Sequence, residues 1–301
     1  MRLAHMSDTH VTTTNGREKI LEAIAQFSNA NNIDAWFHTG DILGDPAEST
    51  LEKSLRESSA KAIPLLQQSQ STLQEKGITR IEDLAKLPEE EQRILLQRQQ
   101  EATMIALEPI IASYQKANEA FKKFKAPIYA TLGNWDLTLA YDILDNITFV
   151  ERVPSIDING VSVQAINNTG ELPKLYQEPT IAPFVQNYFI NYASGYPDAK
   201  EANESELKRL EKGTAANIML YHKTPDTQED PLNGGGTAAR EYLADDTSVV
   251  RLGGHFHSSA VRNEHGHTMF RPGPNDFFVY DYDERSKEIT YYWHYKVEKV
   301  E

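Results

Sequence analysis

The chain has 301 residues, enough for one large α/β domain or two small ones with a real core. Hydrophobic residues at 40% and charged residues at 25% exclude wholesale disorder and a fibrous repeat. Thirty Lys and Arg against 44 Asp and Glu give a formal charge of −14, a poor match for long nucleic acid or an anionic membrane surface, and the lack of cysteine removes disulfides, thiolate catalysis and thiolate metal ligands.

The opening RLAHMSD reads as a strand running into the loop THVTTTNG. Ile20, Leu21, Ile24, Ala25 and Phe27 then recur at helical spacing between Arg17 and Asn31, and DAWFHT (34–39) reads as a second strand ending at Gly40-Asp41. Strand, helix, strand in so short a span predicts a crossover with parallel strands. From about Glu48 to Lys125 the chain is rich in Gln, Glu, Lys, Leu and Ala, with Pro64, Pro88 and Pro109 as punctuation. We expect several helices in series there, forming a hairpin inserted into the main domain, and its outer face is the expected surface for any homo-oligomer. APIYATL (126–132) returns to strand character and ends at Gly133-Asn134. Further strands are expected at Phe149–Val153, in a hairpin turning at Asn159-Gly160, at NIMLY (217–221), at VVRL (249–252) and in an antiparallel pair at the end of the chain. The segment Thr169–Lys212 has weak periodicity and is read only as loop and helix. The first residues lack a signal-peptide pattern and no stretch approaches about 18 apolar residues, so a soluble, cytoplasmic protein is expected.

Four strand ends carry Asp, Asn or His clusters: Asp8-Thr9-His10, Gly40-Asp41, Gly133-Asn134-Trp135-Asp136 and Gly254-His255-Phe256-His257. His222, after NIMLY, adds a fifth. Ligands in open α/β sheets collect beyond the carboxyl ends of strands. So much ionisable material on one edge calls for a cation. Residues i and i+2 of an extended segment project to the same side, so Asp8 with His10, and His255 with His257, can reach one small region. Imidazole and oxygen donors without sulfur suit Mn, Fe, Zn, Ni or Co.

The ordered set D-x-H, GD, GN, H, GHxH resembles the calcineurin-like metallophosphoesterases. That resemblance implies an α/β/β/α sandwich of two mixed sheets, here as one domain spanning 1–301 with the helical insertion at about 48–125. It also implies two divalent metal ions. Asp8, His10 and His257 would hold one, Asn134, His222 and His255 the other, and Asp41 would bridge them, so that catalysis would centre on Asp8, Asp41, Asn134 and His257. Solvent held between the cations would be the nucleophile on a small phosphorylated substrate. Many relatives have His after the Gly-Asn pair, where this chain has Trp135; indole cannot donate a proton in that way, so the metal site is implied intact and the leaving-group acid is left unassigned. Trp135 could pack in the cleft wall or stack on an aromatic leaving group. His38, Asp136, His265 and His267 are candidate substitutes, each with a plainer reading as core, loop or turn. Asp45, Arg240 in the Gly-rich PLNGGGTAAREYL, Lys223 and Arg271 are candidate substrate-side contacts beside structural readings. The alternative to an enzyme is a scaffold of the same fold with a silent site and the helical insertion as its interaction surface.

Overall fold

Strand β1 (Arg2–Met6) alternates its side chains between two apolar environments, and that alternation sets the layers of the computed structural model. Ala4 and Met6 pack with the helices, whereas Leu3 faces a second sheet. The structure describes residues 1–44, 49–78, 81–166, 174–188, 208–222, 250–264 and 267–298.

Parallel pairing continues from β1 to β2 (Ala35–Thr39), β3 (Ile128–Thr131) and β4 (Ile147–Phe149). All five residues of β2 are buried, as expected of a strand covered on both faces. On the other side of β1 the antiparallel strands β11 (Asp276–Asp283) and β12 (Glu288–Lys296) complete a six-stranded sheet. The second six-stranded sheet has the order β5 (Ile156–Ile158), β6 (Val161–Ile166), β7 (Ile218–Tyr221), β8 (Val250–Leu252), β10 (His267–Arg271), β9 (Ala260–Glu264). Its inner strands β6, β7, β8 and β10 are parallel. Leu3, Phe37, Phe278 and Tyr280 of the first sheet and Val163, Leu220, Leu252 and Phe270 of the second form the core between the two. Helices α1 (Glu18–Ala30), α2 (Ser49–Glu75) and α3 (Glu89–Phe121) are joined to the outer face of the first sheet through a continuous apolar cluster. The architecture is the two-sheet α/β sandwich expected from the sequence.

Three expectations need correction. Pro64 and Pro109 do not break the helical stretch but lie inside α2 and α3. An internal proline costs about 3 kcal/mol, and burial of Leu107, Ile110 and Tyr114 around Pro109 offsets it. The C-terminal half of α3 is also no appendage, since Ala106, Leu107, Ile110, Tyr114, Ala117 and Phe121 are part of the main core. Only the distal part carries exposed apolar groups such as Leu96 and Met104. The strand expected at Phe149–Val153 begins earlier, at Ile147, and gives way to a 3-10 turn over Val150–Arg152. The Asn159-Gly160 turn closes β5 onto β6 with φ of 54° and 86°, the geometry such a dipeptide favours. Among the described residues, no helix is long and apolar enough to cross a membrane.

Candidate metal centre

The carboxyl ends of β1, β2, β3, β7 and β8 deliver Asp8 and His10, Asp41, Asn134, His222, and His255 with His257, and the structure brings all seven together. One ligand atom from each of Asp8, His10, Asp41 and His257 lies within 4.8 Å of the others. The same holds for Asp41, His222 and His255. Asn134 joins the second group, its Oδ1 lying 2.9 Å from His222 Nε2 and 3.0 Å from His255 Nδ1. Asp41 alone belongs to both groups.

The backbone is bent to achieve this. Asp8, His10, Asp41, His255 and His257 have φ between 49° and 73°, in the left-handed region. Asp and His tolerate that region better than most residues, yet each instance costs on the order of 1–3 kcal/mol and persists only where its surroundings impose it. Such concentrated strain is characteristic of functional loops. Glycine serves a second purpose here. A side chain on Gly133 would collide with the Asp41 backbone and carboxylate, and one on Gly254 would collide with Ser7 and the Asp8 carboxylate. The loops can approach only because those positions have no Cβ.

The histidine tautomers follow from their partners. His10 Nδ1 donates to the Leu43 carbonyl at 3.2 Å and His222 Nδ1 to the Thr39 carbonyl at 2.7 Å, which turns both Nε2 atoms toward the carboxylates. His10 Nε2 and His257 Nε2 stand 2.9 Å apart, and His257 Nε2 is 3.4 Å from Asp8 Oδ1. Burial would raise both carboxyls, but the histidines outweigh it: His257, His222 and His10 hold Asp8 low, while His222 and His10 do so for Asp41. Burial would lower the His222 imidazole, yet Asp41 and Asp8 raise it to about 9. The pocket thus has two buried carboxylates and attracts positive charge. Asp41 Oδ1 accepts the Trp135 backbone N–H at 3.0 Å, whereas its buried Oδ2 is turned toward the histidines, 3.2 Å from His222 Nε2. A buried carboxylate shared by two sets of imidazole, carboxylate and amide donors fits bound cations, so the residues suit metal binding. The pocket opens on one side, where the His257 side chain is 47% exposed.

The other candidates fall into place around this centre. Asp136 is 2% exposed and accepts the backbone N–H groups of Ile42, Leu43 and Gly133 as well as the Tyr114 hydroxyl. It braces the Asp41 and Asn134 loops against one another and is not placed to protonate a leaving group. His38 is fully buried, and burial pushes its imidazole down to about 3, so it cannot serve as the acid near neutral pH. Arg271 is 4% exposed and donates to the Ser258 carbonyl at 3.1 Å while lying over the Phe256 ring at 4.8 Å. It supports the His255–His257 loop rather than facing solvent. His267 begins β10 opposite Glu264. Trp135 is half-buried, with its ring edge-on to Tyr176 at 6.3 Å. Asp45, Lys223, Arg240 and His265 lie outside the described residues. The sequence alone did not reveal the Tyr114–Asp136 brace or Glu151, which accepts the Leu132 N–H at 2.9 Å beside the Asn134 loop. A lone Glu after a strand carries no local signal of that contact.

No protein-family model matches the chain. No curated protein sequence matches it either. Solved structures do: one is 13% identical with a TM-score of 0.53 and covers 98% of each chain, a likeness of fold. The Phosphopantetheinyl Hydrolase of Mycobacterium tuberculosis is 14% identical with a TM-score of 0.47 and covers 98% of this chain and 95% of its own. A dimetal phosphatase of Danio rerio is 8% identical, also at 0.47, with coverage of 93% and 92%.

Proposed function

We propose that this chain, whose fold is that of the calcineurin-like metallophosphoesterases, is a metal-dependent phosphoesterase that hydrolyses a small organic phosphate, with diesters preferred over unactivated monoesters. One observation carries the reading: Asp41, fully buried and common to both ligand groups, stands in a pocket of histidines and a second buried carboxylate. A carboxylate in that position is costly to bury unless cations complete it.

Asp8, His10 and His257 would hold one cation, Asn134, His222 and His255 the second, and Asp41 would span both. When bound, the pair supplies a solvent molecule of lowered pKa and positive charge for the phosphoryl oxygens. The chain's own residues set the geometry. Leu43 and Thr39 carbonyls fix the His10 and His222 rings, and the Trp135 N–H orients the Asp41 carboxylate. The exposed flank at His257 admits substrate, and Trp135, half-buried beside Asn134, forms part of the wall where a leaving group departs.

Two of the substitute acids are committed elsewhere: His38 is buried and Asp136 is saturated with donors. A leaving group that departs without protonation suits this site best, which is the basis for preferring diesters with good leaving groups. Two chromogenic substrates with the same leaving group, a bis-ester and a mono-ester, test the reading alongside metal analysis. Metal-dependent turnover with the bis-ester ahead is expected. Two bound metals without turnover of either ester would favour the scaffold, and a faster mono-ester would remove the substrate preference.

A further inference from the structure

The layer beneath the candidate ligands is polar, and the hydrolysis described above does not use its side chains. Thr9, His38 and Thr39 are all buried there. Gly40 donates its backbone N–H to His38 Nδ1 at 3.2 Å. That nitrogen therefore carries the lone pair, and the ring proton is on Nε2, 3.0 Å from Thr9 Oγ1. One neutral imidazole thus joins Gly40, which precedes Asp41, to Thr9, which lies between Asp8 and His10. The Phe121 ring meets His38 edge-on at 5.8 Å and fixes its plane from the helix side.

The two loops it joins carry three of the centre's five left-handed ligand residues. Asp8, His10, Gly40 and Asp41 have φ of 52°, 49°, 88° and 54°. Main-chain bonds from Asp8 N to Gly40 O and from His10 N to Asp41 O, each 3.0 Å, lock the loops to one another. Those bonds set the spacing of the loops, but they leave the pair free to relax together unless something below anchors both. His38 reaches both from a rigid buried strand.

We propose that His38 is a positioning residue for the metal centre: bonded to Gly40 and Thr9, its imidazole holds Asp8, His10 and Asp41 in left-handed conformations that aim their ligand atoms at shared cations. The inference rests on the metal-dependent reading above. Loss of an outer partner of this kind lowers metal affinity by about 10- to 100-fold.

Three variants test it. His38→Phe keeps the ring and its contact with Phe121 but breaks both bonds. Thr9→Val removes one hydroxyl at constant shape, and His38→Gln restores a donor able to reach Thr9. Manganese affinity is measured by titration calorimetry, and the spectrum of the loaded protein by electron paramagnetic resonance, in which ions sharing a carboxylate couple and isolated ions do not. The expected result is affinity about 10- to 100-fold weaker in His38→Phe with loss of the coupled signal, a smaller loss in Thr9→Val, and partial recovery in His38→Gln. Wild-type affinity and an unchanged coupled spectrum in both His38→Phe and Thr9→Val would overturn the inference while leaving the metal-dependent reading intact. So would a His38→Gln variant no better than His38→Phe. Wild-type protein that takes up no manganese would overturn the metal-dependent reading, and this inference with it.

Discussion

Asp41 and Trp135 are joined by a single hydrogen bond, 3.0 Å from the Trp135 backbone N–H to Asp41 Oδ1, and that bond turns the second carboxylate oxygen toward the histidines, 3.2 Å from His222 Nε2. The oriented anion is what both ligand groups share. Replacing Asp41 by Asn keeps the shape and an oxygen to accept the Trp135 N–H, but removes the charge between two cations. We expect kcat/KM to fall by at least about 100-fold, or roughly 2.7 kcal/mol. Steady-state kinetics with added metal, together with metal content, check it; near wild-type turnover would exclude Asp41 as the bridge.

On the proposed reading, Trp135 stands where the leaving group would be protonated. Its main chain is tied to Asp41, so a new side chain there starts from a fixed point beside the metals. Trp135→His should raise the ratio of monoesterase to diesterase turnover, because an imidazole can donate a proton and indole cannot. The pH profile should gain an acidic limb of His character. An unchanged ratio would show that residue 135 packs in the wall, against Tyr176, and does not face the leaving group.

The link from α3 to the centre also gives a contrast in stability. The Tyr114 hydroxyl accepts the Leu137 N–H at 2.8 Å and donates to Asp136 at 3.2 Å, in a fully buried setting. Tyr114→Phe strands a buried N–H and weakens the brace beneath the Asn134 loop, a cost of about 1–3 kcal/mol. An exposed change in the distal part of the same helix, Leu96→Ser, should stay within about 0.5 kcal/mol. Denaturant midpoints for the two variants measure the difference. Equal effects would mean that α3 is stabilised uniformly and is not tied to the site through Tyr114. Removal of the whole stretch 48–125 would also remove Tyr114, so only shortening of the distal hairpin is expected to leave the centre assembled.

The ligands were legible because each interrupts an apolar run at a place where strands end. Asp8, Asp41, Asn134, His222 and His255 all follow short hydrophobic segments that a parallel sheet buries on both faces. The glycines were legible too, though their reason was not: Gly133 and Gly254 are required by the approach of loops distant in sequence, which no local pattern contains. The same limit hid the outer partners. Tyr114 reads as one more apolar position on an amphipathic helix, and only the fold brings it to Asp136. Helix boundaries failed for a related reason, since the propensity cost of Pro64 and Pro109 is local and the burial that outweighs it is not.

Glu151 gives the last test, one of pH and stability together. It is 6% exposed; Leu132 donates its N–H and Tyr141 its hydroxyl to one carboxyl oxygen, and the other oxygen has no hydrogen-bond partner among the described residues. Burial raises its pKa from 4.5 to about 7, against smaller lowering contributions from nearby N–H groups and Tyr141. The folded protein therefore binds this proton more tightly than the unfolded chain. Stability from this group is greatest below about pH 4.5, declines as pH rises toward 7, and levels off above, a change on the order of 3 kcal/mol. Glu151→Gln keeps an acceptor for Leu132 and cannot ionise, so it should remove that decline. The difference in unfolding free energy between variant and wild type, measured by urea titration at pH 5 and pH 8, cancels the other titrating groups. It should shift in favour of the variant at the higher pH. A difference that stays constant between the two would place the Glu151 carboxylate in a solvated setting, and the neutral brace beside the Asn134 loop would have to be abandoned.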